Sequence, residues 1–402
     1  MASSAAYFVF FVFEEKRGFQ TMHDIDAILG KMREAIPAGP VRIKEAVEGG
    51  RKVVGCYCAY TPYEVIRAAG AIPATLCATS EKPIAAAEEH LPRNLCPLVK
   101  ASYGFALTDT CPYFHFCDLV VGETTCDGKK KMYEIMDRLR PTHVMQLPQT
   151  VSEEAVGQWR TEIERLARRL EEALGTVVTE EALRREIALR NEERRVMSDL
   201  YELSKLNPAP LSGREVHAVN EYFKISFGDP GMLDLIRDLT RKLRENYEAG
   251  ERRVSPDRRR IIVTGCPTGK SVEKVFNAIE ENGGVIVAFE NCGGIKPNYE
   301  LVDESLPPYE ALARKYLDIP CSCMTPNDKR LDLLEDLAGE YAAEGMVDLI
   351  LQACHTYNVE SFQVHERMES MGIPCITVET DYYQGDVEQL NTRMGAFVEM
   401  MG

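Results

Sequence analysis

The sequence contains no Cys-x-x-Cys pair, no Gly-x-Gly-x-x-Gly fingerprint and no apolar run long enough to cross a bilayer. The first absence disfavours a structural zinc ribbon or finger, whose knuckles take two sulfurs from one tight turn. The second removes the usual dinucleotide cradle. As for the third, the apolar stretch AAYFVFFVF, Ala5 to Phe13, falls far short of the ~20 residues that a spanning helix needs. EEKRGFQTM follows it without the small-residue cleavage site of a secretory signal. Residues 1–21 therefore read as a disordered extension, a tag or a mis-assigned start, with Met22 opening an amphipathic helix in MHDIDAILGKMREAI. Positive charge is also scarce: 47 Lys and Arg against 63 Asp and Glu leave a net charge of −16, which disfavours a broad nucleic-acid or anionic-lipid footprint. The expectation is a cytoplasmic chain with no nucleic-acid or membrane partner. Thiols stay reduced in that compartment, so disulfides are a poor account of the 13 cysteines.

The 402 residues, 45% of them hydrophobic and 27% charged, are enough for two or three domains with full cores. From Val53 to Pro148, short β-rich runs (KVVGCYC, IPATLC, DLVVGETTC, HVMQLP) alternate with helical stretches such as YEVIRAAG and GKKKMYEIMDRLR, the pattern of parallel βαβ units. From Ser152 to about Arg253 the sequence becomes charged with a helical period, polar on most faces and broken at Pro208, Pro210 and Gly213. The β/α alternation returns from Arg260 with RIIVTGC, GVIVAFENC, MVDLILQAC and IPCITVE. The expected division is an N-terminal α/β domain over 22–151, a helical connecting segment over 152–255 and a C-terminal α/β domain over 256–402.

The two outer parts share a pattern. In each, a strand ends at a cysteine (Cys126, Cys354), a helix follows and another strand comes next. Cys96 lies 30 residues before Cys126, and Cys323 lies 31 before Cys354. A duplicated doubly wound domain presenting cysteines at the carboxyl ends of its strands accounts for these matches. Iron–sulfur clusters accept thiolates from distant parts of a chain, so single cysteines at strand ends suit them. Cys58, Cys96 and Cys126 would form one set of ligands, with Cys266, Cys323 and Cys354 as the matching set. Cys56, Cys292 and Cys321 stand in reserve, because the C-x-C pairs Cys56/Cys58 and Cys321/Cys323 leave the register open. Cys77, Cys111, Cys117 and Cys375 read as buried thiols.

In IIVTGCPTGKSVEKVF a strand runs into G-x-x-x-G-K-S and then a helix, close to a phosphate-binding P-loop but one residue short, which misplaces Lys270. A tight strand-to-helix turn is the plainer reading. Among His115, His143, His355 and His365, only His355 follows a candidate ligand directly, and a hydrogen-bonded loop residue explains it as well. Glu379 and Asp381 lie just past a strand end, where they would serve as proton relays or as a loop or helix cap.

The segments GCYCAYTPYEVIRAAGAIP, LCPLVKASYG, VVGETTCDGKKKMYEIM, PCSCM, DLILQACHTYN and GIPCITVETDY resemble the superfamily of 2-hydroxyacyl-CoA dehydratase components, and within it the double-cubane cluster proteins. The likeness extends from about Val53 to the C-terminus. It implies two flavodoxin-like doubly wound parallel-sheet domains joined by a helical segment, with iron–sulfur chemistry at their interface. It further implies a homodimer holding a double-cubane 8Fe-9S cluster on six cysteines, here Cys58, Cys96, Cys126, Cys266, Cys323 and Cys354. Cys266 in GCPTG and the CSC pair favour that branch. The implied function is a low-potential oxidoreductase acting on small unsaturated molecules, supplied with electrons by an ATP-hydrolysing activator that carries its own 4Fe-4S cluster. The alternative branch is a dehydratase subunit, a lyase, with a single 4Fe-4S cluster.

Overall fold

The computed structural model describes residues 24–401, so the expected extension over 1–21 lies outside the described residues. The N-terminal helix is described over 24–35 and buries Ile25, Ile28, Leu29 and Met32, the apolar stripe that its sequence predicts.

Eight strands form two sheets. The first contains β1 (Lys52–Cys56), β2 (Ala71–Thr75), β3 (Leu119–Glu123) and β4 (Thr142–Met145), in the order β2-β1-β3-β4. The second contains β5 (Arg259–Gly265), β6 (Gly284–Glu290), β7 (Gly345–Leu351) and β8 (Cys375–Thr380), in the order β6-β5-β7-β8. Every neighbouring pair is parallel. Both sheets thus have the 2-1-3-4 order of a flavodoxin-like fold, and each changes winding direction between its first and third strands. β3, β6 and β7 are buried along their whole length, because crossover helices cover both faces and select continuous Val, Ile and Leu runs over alternating ones.

Four helices, Glu153–Leu174, Glu180–Leu203, Gly213–Lys224 and Pro230–Glu248, join the sheets. Ser152, Thr179, Ser212 and Asp229 cap their amino ends through side-chain oxygens, and Ser212 with Glu215 completes a capping box. Their charged character does not mean that they are solvated. Glu180–Leu203 buries Arg190, Glu193 and Arg194 against the first sheet's flank. There Arg67 and Arg190 meet Glu193 at 2.7 and 2.6 Å, and Arg194 meets Glu64 at 2.8 Å.

The halves interlock. Between β6 and β7 the chain leaves its own sheet: Val302, Leu312, Leu317, Ile319, Cys321 and Cys323 share one apolar cluster with Val54, Tyr60, Leu119 and Trp159 of the first half and the connecting helices. Conversely, Ile25, Leu29, Ala78, Ile84, Leu98 and Ala101 pack into the core around β5, β6 and β7. The Tyr60 hydroxyl donates to the Ile319 carbonyl at 2.8 Å, and the Ser271 hydroxyl to that of Thr79 at 2.7 Å.

Candidate functional site

The carboxyl ends of both sheets face a shared region, and the cysteines gather there. Cys58 and Cys266 follow the first strands of their sheets, Cys126 and Cys354 follow β3 and β7, and Cys77 and Cys292 follow β2 and β6. These are equivalent places in the duplicated topology. Cys96 lies in the β2–β3 crossover and Cys323 in the β6–β7 crossover.

The thiols do not gather one set per half. Cys96, Cys126, Cys266 and Cys354 come together, two from each half. Hydrogen-bond donation from the Cys266 and Cys96 thiols holds Cys354 well below the usual thiol range. The same contacts push Cys96 and Cys266 up, with burial the larger cause for Cys266. Burial raises Cys126, with Cys354 close enough to contribute. Cys96, Cys126 and Cys354 are the N-cap residues of the helices Pro97–Thr108, Asp127–Met136 and His355–Ser370. Cys126 Sγ accepts the Lys129 amide at 3.5 Å, and first-turn amides favour the thiolate at Cys96 and Cys354 also. Three helix amino ends therefore turn their partial positive charge toward one group of sulfurs. Cys266 is the innermost of the group and accepts the Leu351 amide at 3.3 Å.

Cys58 and Cys323 instead join Cys292 and Cys321. Donation from the Cys323 thiol, against the opposing effect of burial and with help from the Lys296 ammonium, holds Cys321 below the usual range. Burial pushes Cys292 up to about 12. Lys296 is fully buried, pairs with Glu290 at 2.8 Å and touches the Tyr357 hydroxyl at 3.2 Å, itself 3.9 Å from Cys321 Sγ.

Beside this second group lies a cavity of about 480 Å³ between the two sheets and the connecting helices, lined by Cys58, Cys77, Cys111 and Cys292 together with Thr61, Lys129 and Thr268. Most of the charges on its wall are already paired: Arg67 and Arg190 with Glu193, Lys224 with Glu221. Lys129 Nζ donates to the Tyr57 carbonyl at 2.8 Å, where Cys77 Sγ also donates at 2.9 Å, and no carboxylate lies within ion-pair distance of it among the described residues. Sequence reasoning missed Cys77 and Cys111 as cavity residues. Their positions after β2 and before a short helix gave no signal beyond the equivalence of Cys77 with Cys292.

The other sequence candidates stay outside this region. Lys270 is exposed at the start of a short 3-10 turn. Gly269 abuts Thr79 of the first half so closely that a Cβ would lie 2.4 Å from its hydroxyl oxygen. The P-loop-like segment is thus a strand-to-helix turn serving as a contact between the halves, with Thr268 on the cavity wall. His355 is exposed, Glu379 is exposed and bonded to Asn358, and Asp381 accepts the Tyr383 amide as a loop cap.

The donor set suits an iron–sulfur cluster: eight sulfurs in two groups, largely enclosed, reached by helix amino ends and main-chain N–H groups. Among the described residues no three His, Cys, Asp or Glu side chains form a site for a single metal ion.

Fold and site together define a duplicated flavodoxin-like α/β protein with thiols pooled from both halves at the switch points of its sheets. The family described as 2-hydroxyglutaryl-CoA dehydratase, D-component, matches residues 58–401, and the chain belongs to that family. It is 48% identical over 380 residues to the Escherichia coli (strain K12) protein named "Putative dehydratase subunit YjiM", covering 94% of this chain and 99% of that one. It is 24% identical over 374 residues to the (R)-phenyllactyl-CoA dehydratase beta subunit of Clostridium sporogenes, covering 89% and 94% of the two chains. It is 22% identical over 377 residues to a benzoyl-CoA reductase subunit of Thauera aromatica, covering 89% and 92%. The relatives are thus subunits of dehydratases and reductases. Among the described residues no helix is long and apolar enough to cross a membrane.

Proposed function

We propose that this chain is an iron–sulfur reductase with a double-cubane 8Fe-9S cluster, one cubane taking three thiolates from the Cys96, Cys126, Cys266 and Cys354 group, the other three from Cys58, Cys323, Cys292 and Cys321, and the bridging sulfide completing the fourth iron of each. The observation that carries the proposal is the sorting of eight strand-end and crossover thiols into two neighbouring groups, since a single cubane needs only one. The cluster would store low-potential electrons and release them to a small unsaturated molecule in the adjoining cavity. This chain's residues would enclose the cluster, set its potential through the helix amino ends and Lys296, and hold the substrate against Thr61, Thr268 and Lys129. Electrons would come from a separate ATP-hydrolysing iron–sulfur activator, in keeping with the incomplete P-loop here. The working form would be a cytoplasmic homodimer.

The family description and the dehydratase relatives favour a second reading, a dehydratase subunit with one 4Fe-4S cluster acting on a CoA thioester with a non-identical partner. Iron and acid-labile sulfide per chain, measured on protein purified without oxygen, separate the two. About eight irons with slightly more sulfide support the reductase; about four move the assignment to the dehydratase. Removing Cys292 or Cys266 as Ala variants should lower the iron content under the first reading.

A further inference from the structure

Seven glutamates are buried among the described residues, and six have a cation within ion-pair distance: Glu64, Glu162, Glu193, Glu280, Glu290 and Glu360. Glu123 is the exception. It ends β3 with no solvent exposure, no cation lies within that distance, and its Oε2 has no hydrogen-bond partner among the described residues. Its Oε1 accepts the hydroxyl of Thr61, and Thr61 lines the cavity. A carboxylate so placed is costly to keep ionised, whereas a carboxylic acid is not. Burial pushes the Glu123 carboxyl up to about 7, against the opposing pull of the Thr61 hydroxyl and of the Lys129 ammonium. The other titratable groups that face it are Cys56 at the end of β1, Cys58 just beyond it, Cys77 beyond β2, and Tyr133 on the same helix as Lys129. All four are weak acids raised by burial, so none of them supplies a fixed charge.

We infer that Glu123 is a proton store for the cavity and that Thr61 is the relay through which its proton reaches a bound molecule. This inference rests on the reductase reading for the identity of the acceptor, though not for the proton path itself. With the Thr61 hydroxyl rotated, the acid donates to Oγ1 while the hydroxyl proton turns to the cavity. One proton then leaves Thr61 for the substrate, the Glu123 proton replaces it on Oγ1, and Glu123 is reprotonated back through the same hydroxyl from water in the cavity. With acetylene as the acceptor, two electrons from the activator and two protons by this route give ethylene, and one carbon–carbon π bond is replaced by two C–H bonds. Thr61 touches the substrate; Glu123 acts through it.

The path is tested first on the full chain without cluster, by infrared spectroscopy of the protonated carboxyl stretch at pH 6. Wild type should show a buried acid band that titrates away near pH 7 and is missing in Glu123→Gln. In D2O that band should exchange at least tenfold more slowly in Thr61→Val than in wild type, and at the wild-type rate in Thr61→Ser. Absence of the band, or exchange indifferent to Thr61→Val, overturns the inference. In the cluster-loaded protein supplied with activator, ATP and acetylene, Glu123→Gln should keep its iron content yet lose at least tenfold in ethylene formation, together with the pH dependence near 7. Wild-type rate and pH profile in Glu123→Gln would overturn the proton store while leaving the reductase reading intact. No ethylene from any form, with the infrared results as expected, would remove the reductase reading and leave the proton path standing.

Discussion

At the scale of single residues, a buried charge is tolerated here only with a partner, and the partners join different elements. Glu64, on the short helix after β1, accepts from Arg194 at 2.8 Å and from Tyr316 at 2.7 Å, all three buried. Burial alone would raise the Glu64 carboxyl, but Arg194 and Arg190 with the Tyr316 hydroxyl outweigh it and hold the group below the ordinary carboxylate range. Removing the charge with Glu64→Gln leaves Arg194 without its partner at a site of nearly zero exposure, so it should cost about 3–5 kcal/mol in denaturant unfolding. The pH dependence has a definite sign. Because the folded value is depressed, the contribution is complete above the unfolded carboxylate value of about 4.3 and is lost as pH falls through the folded one. Wild type should therefore lose part of its stability on acidification below about pH 4.3, and Glu64→Gln should lose less. Equal acid slopes in the two proteins would assign the acid sensitivity to other groups. Sequence alone did not reveal this triad, because its members lie 252 residues apart at the widest. The thiols were more legible, since Cys58, Cys96, Cys126, Cys266, Cys323 and Cys354 occupy repeat-related places that a reader can count. Glu123 gave one faint sign, a carboxylate closing the otherwise apolar run LVVGE.

At the scale of elements, all eight strands follow the β-rich runs, most plainly β3, β6 and β7, where helices on both faces demand unbroken apolar sequence, while the part-buried β4 and β8 rest on their β-rich composition and bounding turns. The helical connection was legible as helix, but its reading as polar on most faces gave no sign that Arg190, Glu193 and Arg194 are buried. Periodicity reports where side chains point, whereas ion pairing across elements decides whether a charged face can be buried. The turn after β5 shows a related ambiguity, since glycine at a strand-to-helix turn signals either a phosphate cradle or the close approach of another chain segment. Here it is the approach of Thr79, whose Oγ1, Cγ2 and Cβ would lie 2.4, 2.6 and 2.8 Å from a Cβ at position 269. Gly269→Ala should destabilise the protein by about 1–3 kcal/mol through overpacking. Thr79→Gly in the same chain should recover much of that loss, giving a favourable coupling in a double-mutant cycle of denaturant midpoints. Additive effects would mean that the contact does not hold the halves together.

At the scale of the whole molecule, two copies of one topology do not behave as two independent bodies. Residues 302–324 carry Cys321 and Cys323 out of the second half into the core that holds Tyr60, while the helix at 24–35 packs on the sheet of the opposite half. The pairing of copies was visible in the repeat of strand and cysteine, but this exchange was not, because crossover segments of similar composition give no sign of which sheet they cover. Its consequence is that each thiol group draws on both halves, so a group that binds those thiols binds the arrangement of the halves as well. Whatever binds the folded state alone stabilises it by mass action, over every segment it bridges. Loading iron and sulfide into the metal-free chain should therefore slow amide exchange at Lys129–Lys131 beyond Cys126 and at Thr356–Asn358 beyond Cys354 together, by tenfold or more. Cys126→Ser should abolish the protection at both places, although it removes a thiol from only one half. Hydrogen-exchange mass spectrometry reads this directly. Protection at 356–358 that survives Cys126→Ser would mean that each half holds its own thiols after all, and the pooled groups would have to be divided along the chain.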